Sequence, residues 1–200
     1  MESMSVTASS GTEAETPPAF DPAEVCRIRA DPEVLERFYL AFYDDVVRYL
    51  ARRVGDPQDV ADLVADTFVG AIDGAGSFDH RRGRVLPWLI GIAQNKLRRW
   101  YRQRGSDLDL ARRIVGRRLL DADDIGELEN RIDAAALSLL DVFNRLSPNQ
   151  RELIDLAEIQ GFTPAEIATV LGVPAGVARI RLYRARNALR REFTQNQEEK

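Results

Sequence analysis

Six arginines fall between residues 179 and 191, and no acid interrupts them. Guanidinium groups at that density bind phosphates, and an arginine can fork onto a guanine edge in the major groove. At 3.6 residues per turn, Ala178, Leu182, Ala185 and Leu189 share a narrow apolar arc, which must be the core side. The opposite arc carries Gly176, Ile180, Tyr183, Arg184, Asn187 and Arg191, with Arg179 and Arg190 at its margin. Gly176 near the start of that face allows close backbone approach to a ligand. The spacing therefore predicts a helix that reads duplex DNA.

A second cationic segment has a different character. Eight Lys and Arg residues lie between His80 and Arg104, again without an acid. Asn95, Lys96, Arg98, Arg99 and Arg102 are interleaved with Trp88, Trp100 and Tyr101. Cations follow a phosphate backbone while rings stack on unpaired bases, at about 1–3 kcal/mol per base. This pattern suits single-stranded or opened nucleic acid. Trp88 is expected to be core; Trp100 and Tyr101 are open between stacking and anchoring the helix end. Asp59, Asp62 and Asp66, at i, i+3 and i+7, line one side of the preceding helix. Carboxylates there repel DNA, so that face is expected to point away from it, toward a protein partner with basic residues.

The rest of the chain bounds the alternatives. A single histidine, His80, and a single cysteine, Cys26, leave no usual His-rich metal site, no His-centred triad and no internal disulfide. No catalytic residue, metal or cofactor is assigned, and an enzyme is not expected. The net charge of −4 hides a blockwise distribution: acidic from Met1 to Glu24, from Asp56 to Asp73 and from Asp121 to Glu129, basic in the two segments above. No apolar run reaches the ~20 residues of a membrane span, the first residues lack a signal-peptide pattern, and the expected compartment is the cytoplasm.

The elements that position these groups read as helices throughout. Residues 1–22 read as a disordered tail rich in Ser, Thr, Glu and Pro. Asp31-Pro32 and Asp56-Pro57 are cap-then-proline starts of two amphipathic helices, the first ended by Gly55 and the second broken at residues 73–77. A third helix is expected over about Leu86 to Arg104. Residues 105–130 read as a linker, and a helix from about Arg131 to Arg145 leads into the last domain. Ser147-Pro-Asn-Gln150 and Thr163-Pro-Ala-Glu166 are capping boxes. They open helices over Pro148 to Ile159 and Pro164 to Leu171, and a last helix follows from about Pro174 to Phe193. The fold class is all-α: two small helical domains, 23–104 and 131–195, joined by a flexible linker, with a short tail at 196–200. The second domain is a helix-turn-helix.

These residues resemble an extracytoplasmic-function sigma factor of the sigma-70 family. The resemblance covers about Phe38 to Arg104 and Leu146 to Phe193. It rests on Asp62-Leu63-Val64 with Thr67-Phe68, on Phe78, Asp79, Gly83, Trp88, Leu89, Ile92, Ala93 and Asn95, and on the run from Leu146 to Leu189. Ala65 and Asp66 stand where the family often has Gln and Glu. The resemblance implies that Asp62, Leu63, Asp66 and Phe68 meet the clamp of the largest subunit of core RNA polymerase. It implies that the loop His80 through Arg84 (Arg81, Arg82 and Arg84 among it) and Asn95, Lys96, Arg98, Arg99 and Arg102 recognise and melt the −10 promoter element. Gly176, Arg179, Ile180, Arg181, Tyr183 and Arg184 would read the −35 element. The flap of the second largest polymerase subunit, promoter DNA and an anti-sigma factor are the further implied partners.

Three rivals remain on the residues alone. A stand-alone helix-turn-helix regulator of duplex DNA leaves the aromatic-basic third helix unexplained. A nuclease needs carboxylates among the basic residues, and the acids avoid the basic blocks. A pure interaction protein, such as a sigma decoy, would not support transcription.

Overall fold

The computed structural model describes residues 20–81, 83–104 and 142–198. A 3₁₀ turn, Pro22–Arg27, precedes three helices: α1 (Pro32–Ala51), α2 (Pro57–Gly74) and α3 (Val85–Gln103). After residue 141 come α4 (Pro148–Ile154), which continues as a π-helical turn over Asp155–Ile159, then α5 (Pro164–Leu171) and α6 (Ala175–Glu198). No strand occurs among the described residues. The linker at 105–130 and most of the helix expected over 131–145 lie outside them.

The helix starts follow from local chemistry. Asp31 and Asp56 each accept two backbone N–H bonds of the first turn, and proline follows each. The bond from the Val34 N–H leads in holding the Asp31 carboxyl below its ordinary range, with Arg27 adding to it. Ser147 and Thr163 close reciprocal capping boxes with Gln150 and Glu166. Three differences from the sequence reading are boundary shifts: α1 stops at Ala51 rather than running to Gly55, α4 finishes as a π turn, and α6 extends to Glu198.

Helices α1 to α3 bury Val34, Phe38, Val46, Tyr49, Leu50, Leu63, Phe68, Leu89 and Ala93. Phe20 stacks edge-on against Phe38 and Phe42, at 5.3 and 5.9 Å between ring centroids, so the chain joins this core before residue 22. In the second module α4, α5 and α6 enclose Leu153, Leu156, Ile167, Val170, Ala178, Leu182 and Ala185. The two cores are continuous, because α3 packs directly on α5. A Cβ on Gly91 would lie 3.6 Å from the Thr169 carbonyl oxygen and 3.6 Å from the Val170 Cα. A Cβ there would make ordinary van der Waals contact, and any longer side chain would meet the α5 backbone.

Gly172 turns the chain between α5 and α6 at φ +65°, in the left-handed region. Gly172→Ala keeps the open space beside it but strains the backbone. It is expected to cost about 1 kcal/mol, seen as a lower urea midpoint with an unchanged m-value.

Candidate nucleic-acid interface

Helix α6 divides as its periodicity predicts. Ala178, Leu182, Ala185 and Ala188 are buried against α4 and α5, and Leu189 is half-buried. Gly176, Arg179, Ile180, Arg181, Tyr183 and Arg184 are all exposed. Ile180 is 54% and Tyr183 65% exposed, so two apolar bodies stand in water beside the arginines. Exposed apolar side chains of that size on a cationic helix are suited to base edges and thymine methyl groups. Among the described residues no ion pair is formed by Arg179, Arg181 or Arg184. Arg186 is different: it binds Glu158 at 2.8–2.9 Å and so braces α6 against the π turn.

Helix α3 presents a narrower strip. Asn95, Arg99 and Arg102 are exposed, and Lys96 and Arg98 are half-buried. Arg81 is exposed, and Arg82 lies outside the described residues. Arg84 is engaged: its Nε bonds the Glu166 carboxylate at 2.8 Å. The three aromatics separate. Tyr101 is 5% exposed and donates its hydroxyl to the Arg53 carbonyl, so it is core and cannot stack on a base. Trp88 is half-buried against Phe78, with ring centroids 4.9 Å apart. Trp100 is half-buried at the helix end under the Arg104 guanidinium, 4.6 Å from its ring centroid.

The acidic face of α2 departs from expectation. Asp59 is not solvated; it holds Arg104 in a two-point bond at 2.7 and 2.5 Å. Asp62 and Asp66 are exposed, but they line one cleft of about 630 Å³ together with Lys96, Arg99 and Trp100. The acids kept apart from the bases along the chain are therefore brought beside them in space. Leu63 and Phe68, 3% and 5% exposed, belong to the core. Their side chains fix α2 in place and cannot themselves reach a partner; Asp62 and Asp66 can.

A residue that no local pattern singles out is Asp155. It is buried in the π turn, and it receives Arg52 and Arg53 from the end of α1. Burial opposes the Arg53 charge, but the groups around it, the Asp155 carboxylate among them, outweigh it and raise its proton affinity. The separation along the chain exceeds 100 residues, and no signal in the sequence pairs these groups.

Comparison with known proteins finds similarity to sigma factors. Residues 38–106 match the family model for sigma-70 region 2, and residues 136–189 match that for sigma-70 region 4. The chain is 32% identical over 143 residues to the RNA polymerase sigma factor CarQ of Myxococcus xanthus, covering 71% of this chain and 79% of CarQ. It is 30% identical over 167 residues to the sigma factor BldN of Streptomyces coelicolor, spanning 80% of this chain and 61% of that longer relative. The solved structure of CnrH in complex with the cytosolic domain of CnrY is similar at TM-score 0.57 and 25% identity, over 86% of this chain and 95% of that one.

Arg184→Ala is expected to weaken binding to duplex DNA and to lower the slope of log K against log salt by about 0.9. Fluorescence anisotropy titrations across a salt series measure it. A slope equal to that of the unaltered protein would remove Arg184 from the phosphate contacts.

Proposed function

The chain belongs to the extracytoplasmic-function class of the sigma-70 family, and from that premise we propose how its own residues direct core RNA polymerase to promoters. The −35 element meets α6 through Gly176, Arg179, Ile180, Arg181, Tyr183 and Arg184. The −10 element meets Arg81, Arg82, Arg84, Asn95, Lys96, Arg98, Arg99 and Arg102. Trp100 supplies the exposed ring surface at the end of that strip, in place of the buried Tyr101. The observation that carries this reading is the division of α6, with Ala178, Leu182, Ala185 and Ala188 inside and every predicted reading residue outside.

The mechanism is binding energy without catalysis by this chain. Duplex contacts at one end fix the register, and capture of unpaired bases by cations and rings at the other makes melting favourable. Asp62 and Asp66 offer the polymerase clamp an acidic patch on a helix held rigid by Leu63 and Phe68. The second module meets the polymerase flap. No helix among the described residues is long and apolar enough to cross a membrane, and we assign the protein to the cytoplasm, with polymerase. CnrH is solved with the cytosolic domain of CnrY, and we assign this chain an anti-sigma partner of the same kind. A stand-alone duplex-binding regulator would have no use for a region 2 module.

Run-off transcription with core polymerase and a promoter library tests the proposal: transcripts from a shared pair of sequence elements are expected only when the chain is added. Asp62→Arg is expected to abolish co-elution with core polymerase while its circular dichroism stays unchanged. Co-elution at the level of the unaltered protein would sink the clamp assignment.

A further inference from the structure

Charge is distributed unequally among the clefts of the described residues. The cleft between α2 and α3 sets Lys96, Arg99 and Arg104 against Asp59, Asp62 and Asp66, so its cations and acids balance. The cleft beside Trp88 holds Arg84 with Asp79 and Glu166, and acids prevail there. A further cleft, of about 370 Å³, is lined by Arg98 of α3 and by Arg181 and Arg184 of α6. Its one carboxylate is Glu152, which accepts a hydrogen bond from Gln94. Three guanidinium groups from distant parts of the chain therefore converge on a space that holds a single acid.

Among the described residues, Arg98, Arg181 and Arg184 make no hydrogen bond or ion pair. Arg181 and Arg184 are exposed, and Arg98 is half-buried. Like charges gathered in this way repel, and more strongly where one of them is partly withdrawn from water. A multiply charged anion removes that cost, and a guanidinium fork matches two oxygens of a phosphate group at once. The remaining walls are of another kind. Leu153 and Leu171 are apolar, and the exposed Asn149 offers an amide donor and acceptor. The volume is that of a small-ligand site. A duplex does not enter such a space, whereas a short phosphate chain does.

We propose that this cleft is a binding site for a compact oligophosphate, free or carried by a nucleotide, and that its occupant competes with duplex DNA for α6. The phosphates lie between Arg98 on one side and Arg181 and Arg184 on the other. A nucleotide's base has the apolar surface of Leu153 and Leu171 and the Asn149 amide to meet; an inorganic chain uses the arginines alone. The competition follows from shared residues, because Arg181 and Arg184 belong to the set assigned to the −35 element. That part of the proposal rests on the DNA reading of α6 given above; the ligand site stands on the cleft itself.

The test titrates the full chain with tripolyphosphate, ATP and GTP in a calorimeter. Binding at a single site is expected, and Arg98→Ala is expected to weaken it at least about tenfold, the loss of a hydrogen bond between charged groups. Asn149→Asp places a carboxylate in the cleft at an exposed position in the first turn of α4, where an acid suits the helix. It is expected to weaken the ligand as well. Arg191→Ala, an exposed arginine of the same helix outside the cleft, is expected to leave ligand affinity unchanged. Tighter binding of a nucleotide than of tripolyphosphate assigns the site to nucleotides, and the reverse order to inorganic chains. No binding at millimolar ligand overturns the site, as does an equal loss in Arg98→Ala and Arg191→Ala, which would mean diffuse attraction to a cationic surface. Anisotropy of a labelled mixed-sequence duplex then reads the competition. The ligand is expected to displace the unaltered protein, and Asn149→Asp to keep its duplex affinity while resisting displacement. A ligand that binds without displacing the duplex overturns the competition. Absence of duplex binding by every form overturns the DNA reading of α6 and the competition with it, while the calorimetry still decides the site.

Discussion

Helix α3 is packed from four directions, and that constraint governs where every functional charge can stand. Tyr101 ties it to the end of α1 through the Arg53 carbonyl. Ile92 and Lys96 lie against Gly70 of α2, where a Cβ would come within 2.9 Å of the Ile92 side chain. Gln94 reaches α4, and Gly91 abuts α5. Only a narrow strip remains for solvent, and Asn95, Arg99, Arg102 and Gln103 stand on it. A helix so enclosed presents its cations on a rigid track rather than on a mobile surface, which lowers the ordering cost of binding a flexible strand.

Charge segregation along the chain becomes charge adjacency in the fold. The aspartates of α2 and the cations of α3 come from separate blocks, yet Asp59 binds Arg104, and Asp62 and Asp66 share a cleft with Lys96 and Arg99. Exposed charges interact over roughly 10 Å at ordinary ionic strength. A partner that neutralises Asp62 and Asp66 therefore strengthens the field that Lys96 and Arg99 present to a phosphate strand. On the site assignments proposed above, docking of polymerase on Asp62 and Asp66 and capture of DNA by Lys96 and Arg99 would be coupled through this shared cleft without a conformational change.

The features legible in the sequence are those whose cause lies within one helical turn. Asp31, Asp56, Ser147 and Thr163 announced their helices because a cap is a local bond, and α5 was read at its observed ends for that reason. The faces of α6 were legible because alanine and leucine recur at its period. The fate of adjacent Trp100 and Tyr101 was not, since neighbouring residues on a helix point about 100° apart and only the position of α1 decides which is buried. The π turn was invisible because it adds one residue to a turn without a marker residue. No local pattern marked Asp155, Arg52 and Arg53, because their pairing spans more than 100 residues.

The chemistry of the contact between modules separates specificity from strength. A buried ion pair recovers in attraction roughly what it lost in hydration, so Arg53 and Asp155 add little net stability to the contact. What they do is favour one arrangement, because a packing of the π turn against the end of α1 that buried one of these charges without its partner would cost ~3–5 kcal/mol. The unpartnered Tyr49 Oη and Gln94 Oε1 each subtract ~1–3 kcal/mol from the packed form. Burial also pushes the Tyr49 hydroxyl to a raised pKa, so it stays neutral and adds no charge to the cluster at physiological pH. An apolar seam of the same extent would hold more tightly and tolerate sliding. A seam built on one enclosed carboxylate and two arginines is defined in geometry and limited in depth.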